Sequence, residues 1–314
     1  MSNEAEGSDG LDLAGIAREV RWPPVDPQDA ARETLAEAGI GPRYGRLAEL
    51  STWWASVRDD AAAHPPSRVA GLGLTTPLAA AVRLPVRRVP LMPGDTVRAA
   101  LAWGVAMGDA LADEGTDLLL LAVDDTPGRR VLAAALLGAD AVDALGWPLQ
   151  EDAARTPQLA GLIDDAQWMA DVTALRDGLR AVRGLRDDPV ALLDGVGSTM
   201  LAAATGLLLE SAARRTPALL DGPGAAAAGL LVRELAWEAP DWWQMVPAVP
   251  DPLHERVLAM LRMTPLPGPA LAVEDGTAAV LAVDLLAAAA ALLPSAARSR
   301  ADAESADDPP LADG

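Results

Sequence analysis

Asp117-Leu118-Leu119-Leu120-Leu121-Ala122-Val123 is a nearly unbroken apolar run set between two helix-patterned segments. With no polar face, such a short run suits a strand of a parallel sheet covered by helices on both sides. Upstream, Asp95 is placed to cap a helix ending near Glu114, and Gly115 stops it. Downstream, Asp124-Asp125-Thr126-Pro127-Gly128 reads as a loop and residues 129–137 as a helix. The pattern recurs: a helix over 198–213, the run Pro217-Ala218-Leu219-Leu220, a loop Asp221-Gly222-Pro223-Gly224 and a helix over 225–236. A strand over 242–246 and a helix over 251–262 follow. Strands alternating with helices predict an α/β fold, a Rossmann-like parallel sheet flanked by helices, with ligands at the strand C-terminal ends.

Two helices precede this body, over 26–38 and from Gly45, the second with Leu47, Leu50 and Trp54 at helical spacing. Residues 280–293 are apolar nearly all round, so that helix must be buried, and the two N-terminal helices are the expected partners. The organisation predicted is therefore a small helical domain from 17–62 and 276–297, an α/β domain over 63–275, and disordered acidic tails at 1–16 and 298–314. Between 62 and 94, prolines limit any strand to short pieces at 69–74 and 86–91. Residues 140–187 read as polar and helical.

A formal net charge of −20 argues against nucleic acid and anionic membranes as partners. The absence of cysteine removes disulfides, thiolate metal sites and thiol nucleophiles, and two histidines make no His-rich metal site. The acidic start lacks the apolar core of a signal peptide, and the apolar runs 225–232 and 280–293 fall short of a membrane span, so a cytoplasmic protein is expected. No metal or cofactor is expected.

Several constellations can carry chemistry. Glu274-Asp275-Gly276-Thr277 stands at the entrance to the apolar C-terminal helix, where carboxylates serve either as caps or as a working base. As a cap, Asp275 holds the helix and Glu274 is solvated. Asp124, Arg129 and Arg130 follow a buried strand and open a helix, where a phosphate or plain solvent can sit. Asp221, Gly222 and Gly224 also follow a strand; they suit either close ligand approach or a tight turn capped by Asp221. Trp242-Trp243 either stacks a flat ring or packs in the core, and His254 is a base or a surface histidine.

Read together, these segments resemble the nicotinate-nucleotide:dimethylbenzimidazole phosphoribosyltransferase (CobT) family. Gly45-Arg46-Leu47-Ala48-Glu49-Leu50 is similar to its GRLEEL, and Glu114-Gly115-Thr116-Asp117-Leu118-Leu119 to EGADLL. Leu136-Leu137-Gly138-Ala139-Asp140 is similar to LTGAD, and Asp188-Pro189 with Val196-Gly197 to DPLE…VGG. Leu219-Leu220-Asp221-Gly222 matches LLDG, and Glu274-Asp275-Gly276-Thr277-Ala278-Ala279 sits where the family carries GEGTGA. The resemblance implies transfer of the ribose phosphate of nicotinate mononucleotide to a benzimidazole nitrogen without a metal, by a protein that is usually a homodimer. It implies Asp275 as the catalytic base, with Glu274 replacing the preceding glycine. It places Asp221, Gly222, Gly224 and Gly197 near the ribose phosphate, with Asp124, Arg129 and Arg130 in the loop against the nucleotide.

The chain departs from the family in five places. The DHGV…GVSxYP region has no counterpart in 62–94, and Val123-Asp124-Asp125-Thr126-Pro127-Gly128-Arg129 replaces the glycine-rich GEMGIGNTT. The glutamate of GGLE becomes Met200, and HRSAEP becomes Pro247-Ala248-Val249-Pro250-Asp251-Pro252. Asp275 is one methylene shorter than glutamate, retracting the carboxylate by about 1.5 Å; such a misplacement costs about 10²-fold in rate. The expectation is a diverged member with an altered or impaired active site that binds a nucleotide or base-like molecule, as a homodimer or beside a paralogue. The alternatives are an active enzyme using nicotinate mononucleotide and a different base, or a non-catalytic binding or partner subunit.

Overall fold

The computed structural model describes residues 11–62, 64–80, 85–92, 94–146, 165–248 and 251–307. Within them lies a five-stranded sheet, all of whose pairings are parallel: β1 (Val69–Leu72), β2 (Val86–Val89), β3 (Leu118–Ala122), β4 (Ala218–Asp221) and β5 (Trp243–Met245). Their order across the sheet is β2-β1-β3-β4-β5. Every residue of β1, β3 and β4 is buried, which is why the runs read from the sequence lack a polar alternation. β2 is an edge strand, and its Arg87 and Arg88 are exposed.

The chain steps outward from β1 to β2, then returns past β1 to β3. That reversal puts a topological switch point at the C-terminal ends of β1 and β3, where open α/β sheets bind ligands. Ala122, the last residue of β3, lies opposite Asp221, the last of β4, so their two following loops leave the sheet side by side.

The helices preceding β3 are α1 (Leu13–Glu19), α2 (Val25–Glu37), the single turn α3 (Gly41–Tyr44), α4 (Arg46–Arg58) and α5 (Val97–Asp113). After β3 come α6 (Thr126–Leu137), α7 (Ala141–Leu145), α8 (Asp165–Ala181), α9 (Pro189–Val196) and α10 (Thr199–Ala213). The series closes with α11 (Gly222–Leu235), α12 (Pro252–Leu261), α13 (Thr277–Ala290) and α14 (Leu292–Asp307). α5 and α10 pack closely because Gly104 and Gly206 present no side chain: a Cβ on Gly104 would lie 2.1 Å from the Ala203 carbonyl oxygen.

Several expected boundaries shift for local reasons. Thr96, not Asp95, caps α5, its hydroxyl accepting from the Ala99 N–H. The expected loop 124–128 is largely helix, because the Asp125 carboxylate caps at Gly128 and lets Pro127 serve in the first turn. Gly222-Pro223-Gly224 is likewise the first turn of α11 rather than a loop.

The acidic ends are more ordered than composition suggests. Leu13–Glu19 is helical with Leu13 in the core, and α14 runs on to Asp307; residues 1–10 and 308–314 lie outside the described residues. Residues 63, 81–84, 93, 147–164 and 249–250, parts of the segments read above, also lie outside them. The helical stretch Thr277–Ser299, longer than the apolar run 280–293 within it, is by length and composition enough to cross a membrane. Half of it is buried inside the fold, with α13 packed on β3, β4 and α4, the position of a core helix. α13 and α14 both pack on α4, and α14 also packs on α2.

Candidate active site at the carboxyl ends of the strands

Four segments meet beyond the strand ends: Leu74–Thr76 after β1, Asp124–Arg129 after β3, Asp221–Gly224 after β4, and Glu274–Thr277 ahead of α13. The last is tied across the switch point. The Asp275 carbonyl accepts from the Thr75 and Thr76 N–H groups at 3.0 and 3.1 Å. The Thr76 and Thr277 hydroxyls lie 2.7 Å apart in a hydrogen bond. Gly276 is required here: its φ of +89° is left-handed, and a Cβ would lie 2.2 Å from Leu74 Cδ2.

Glu274 is not solvated. Its Oε2 accepts from the Gly224 N–H at 3.0 Å, and its Oε1 lies 3.0 Å from Arg129 Nη2. The two side chains are only 13% and 10% exposed, so this pair is largely removed from water. Burial raises the Glu274 carboxyl above its ordinary range, while Arg129 and the Gly224 N–H oppose that rise. The contact depends on Gly222, which has φ +80° and where a Cβ would lie 2.5 Å from Glu274 Cγ. Gly224 must also lack a side chain, because a Cβ would lie 2.0 Å from the Val123 carbonyl oxygen.

Asp221 does not cap its own helix. Its Oδ2 reaches the start of α13 and accepts from the Ala279 N–H at 3.1 Å. Burial pushes its carboxyl up to about 6, with Asp275 and Glu274 adding like-charge repulsion. Asp275 accepts from the Thr277 N–H at 2.9 Å, so both carboxylates satisfy orphan N–H groups of α13. Asp221, Asp275 and Glu274 thus form one electrostatic cluster, and Asp221 is its member pushed up to about 6.

The remaining predicted residues separate. Asp124 is exposed and acts on Glu274 only through charge. Arg129 also lies 3.8 Å from Asp251, while its Nε is buried without a partner. Arg130 turns away and pairs with Asp171 on α8 at 2.9 Å. Gly197 ends α9 at φ +74° with open space around it. It delivers Ser198, which caps α10 and donates to the Asp125 carboxylate; Gly197 itself does not touch Glu274.

His254 is not a surface histidine. It is 5% exposed, neither ring nitrogen has a hydrogen-bond partner, and burial, its largest perturbation, lowers its pKa to about 4. It feels the charges of Asp251 and Arg129, which puts it close to both. Trp242 and Trp243 are core residues, each 1% exposed, and offer no face for a ligand ring. Thr75, Thr76 and Ser198 escape sequence reasoning, because hydroxyl-bearing residues without a motif carry no signal of their distant partners. Among the described residues, no group of three or more His, Asp or Glu side chains is arranged to hold a metal ion.

A family model described as "Phosphoribosyltransferase" (DBI_PRT) matches residues 83–304. The chain is 41% identical over 202 residues to the nicotinate-nucleotide–dimethylbenzimidazole phosphoribosyltransferase of Streptomyces avermitilis, covering 63% of this chain and 51% of that protein. It is 36% identical over 209 residues to the protein of the same name from Mycobacterium tuberculosis, covering 66% and 55%. The chain therefore spans about half the length of the curated relatives it matches. CobT from Thermus thermophilus has the same fold, with a TM-score of 0.70 at 21% identity over 86% of this chain and 96% of that one.

Proposed function

The chain belongs to the phosphoribosyltransferase family DBI_PRT, the CobT family, and we propose that it is a member with an altered active site. One observation carries this reading: the N–H of Gly224, at the start of α11, is taken by the protein's own Glu274, locked from the other side by Arg129. A helix N-terminus at a strand end is where an anionic substrate group is stabilised. A ribose phosphate arriving there must expel Glu274 and then sit among Asp124, Asp221, Asp251 and Asp275. Transfer between nicotinate nucleotide and dimethylbenzimidazole, the compounds in the names of its relatives, is accordingly impaired. The remaining role is that of a subunit that binds a nucleotide or base-like molecule, as a cytoplasmic homodimer or beside a paralogue. In this reading 63–275 is the α/β phosphoribosyltransferase-like domain, and 17–62 with 276–297 forms the small helical one. The packing of α13 and α14 on α4, and of α14 on α2, supports that division.

The test is to mix the protein with nicotinate mononucleotide and dimethylbenzimidazole and follow nicotinate release. The expected result is little or no turnover. Nucleotide-dependent thermal stabilisation of the parent without turnover is expected, and Glu274→Gly, which restores the family's glycine, is expected to enlarge it. Rapid turnover by the unmodified protein would sink this reading.

A second reading, an active enzyme using Asp275 as base with a different acceptor, is favoured by one observation. Burial pushes the Asp221 carboxyl up to about 6 in the same carboxylate cluster, a value suited to proton transfer near neutral pH. Nicotinate release on some other heteroaromatic base, abolished by Asp275→Ala, would support it.

A further inference from the structure

A second candidate site lies away from the strand ends, on α8. Arg176 and Arg180 are one turn apart on α8, and Arg183 lies in the turn that follows its last residue. They line a cavity of about 280 Å³, together with Asp140, Val142 and Leu179. Among the described residues Arg180 pairs only with Asp177 of the same helix surface, where both side chains are largely exposed, so the pair is weak. Arg176 and Arg183 have no ion-pair partner among the described residues. The Asp140 carboxylate is already engaged, accepting from the Val142 and Asp143 N–H groups as the cap of α7.

We propose that this cavity binds a small phosphorylated molecule, with Arg176, Arg180 and Arg183 as its phosphate ligands. Guanidinium groups donate in the forked geometry that phosphate oxygens accept, and three arginines lining one concavity exceed what Asp140 and the Asp177 paired with Arg180 can balance. The volume suits a compact organic phosphate or diphosphate whose carbon part rests on Val142 and Leu179. A nucleic-acid strand is disfavoured, since the chain carries a formal net charge of −20 and this positive region is confined to one cavity. The proposal is independent of the strand-end site and of the reading given to it.

Inorganic pyrophosphate is the probe, added to the full-length protein while thermal stability and heat of binding are followed. Saturable binding is expected, and Arg176→Ala/Arg180→Ala/Arg183→Ala should weaken it by at least about tenfold, the scale of losing charged hydrogen bonds. These side chains are exposed, so the substitutions leave the fold intact. Asp140→Asn is expected to tighten binding severalfold, because asparagine keeps the cap and removes the negative charge. Three results would overturn the proposal. The first is no saturable binding by the parent protein, and the second is undiminished binding by the triple variant. The third is binding abolished by Arg129→Ala instead, which would locate the anion at the strand ends.

Discussion

Arg129 and Glu274 meet 3.0 Å apart, one opening α6 after β3 and the other standing just ahead of α13. The pair joins the middle of the chain to its C-terminal segment across the carboxyl edge of the sheet. Removing one partner leaves the other charge buried, which costs more than the pair is worth. Arg129→Met is therefore expected to lower stability by about 3 kcal/mol, read as a fall in the denaturant midpoint. Arg129→Met/Glu274→Gln should recover much of that loss, and a double variant no better than the single one would refute the coupling.

Asp221 should make the protein less stable as pH rises through its titration. Its folded value of about 6 lies above the ordinary 3.8, so between these values the folded protein binds more protons than the unfolded chain. Stability contributed by the protonated form is present below pH 4 and lost by pH 6 and above. Asp221→Asn removes the ionisation while keeping an oxygen to accept from the Ala279 N–H. It is expected to stabilise at pH 7 by up to roughly 3 kcal/mol and to flatten the profile between pH 4 and 6. Parallel profiles for the two proteins would contradict this.

His254 has the opposite sign. Its folded value of about 4 lies below 6.5, so the unfolded chain binds the extra proton and stability falls as pH drops from 6.5 toward 4. His254→Leu removes the two unpartnered nitrogens and the titration together. Its melting temperature relative to the parent should rise more at pH 5 than at pH 7.5. An equal effect at both values would show that the imidazole is hydrated rather than buried.

The glycines at the start of α11 should be the least replaceable in the site. Gly224→Ala drives a methyl into the Val123 carbonyl, and Gly222→Ala adds positive-φ strain to a collision with Glu274. Each is expected to cost about 2 kcal/mol or more in chemical denaturation. Gly197→Ala has open space and only the φ cost, so it should be milder.

The sheet is legible in the sequence because β3 and β4 are buried on both faces and announce themselves as continuous apolar runs between helices. The helix expected from Asp251 forms with that residue as its cap and Pro252 in the first turn, whereas the cap at Asp125 passed as loop. The exchange of caps does not show. Asp221 stands where a cap of α11 belongs, yet it caps α13, because β4 ends where the segment ahead of α13 crosses and Glu274 takes the position Asp221 vacates. The same crossing explains Glu274 itself, which reads as a solvated flank of a cap until the segment is seen lying between α11 and Arg129. His254 follows a polar helix start in the sequence, and only the packing of α12 against α6 and α11 buries it.

The hydroxyl bond between Thr76 and Thr277 spans 201 positions of sequence. During synthesis, the crevice between β1 and β3 therefore stands open while nearly the whole α/β body is already outside the ribosome. Its closing piece emerges only after that body. Pairings of such long sequence separation carry a high loop-closure cost and form late. A chain cut short before Glu274 would carry an exposed cleft flanked by Arg129 and by a buried carboxylate at Asp221 without its helix N–H partner. Completion of the crevice therefore waits on the segment ahead of α13.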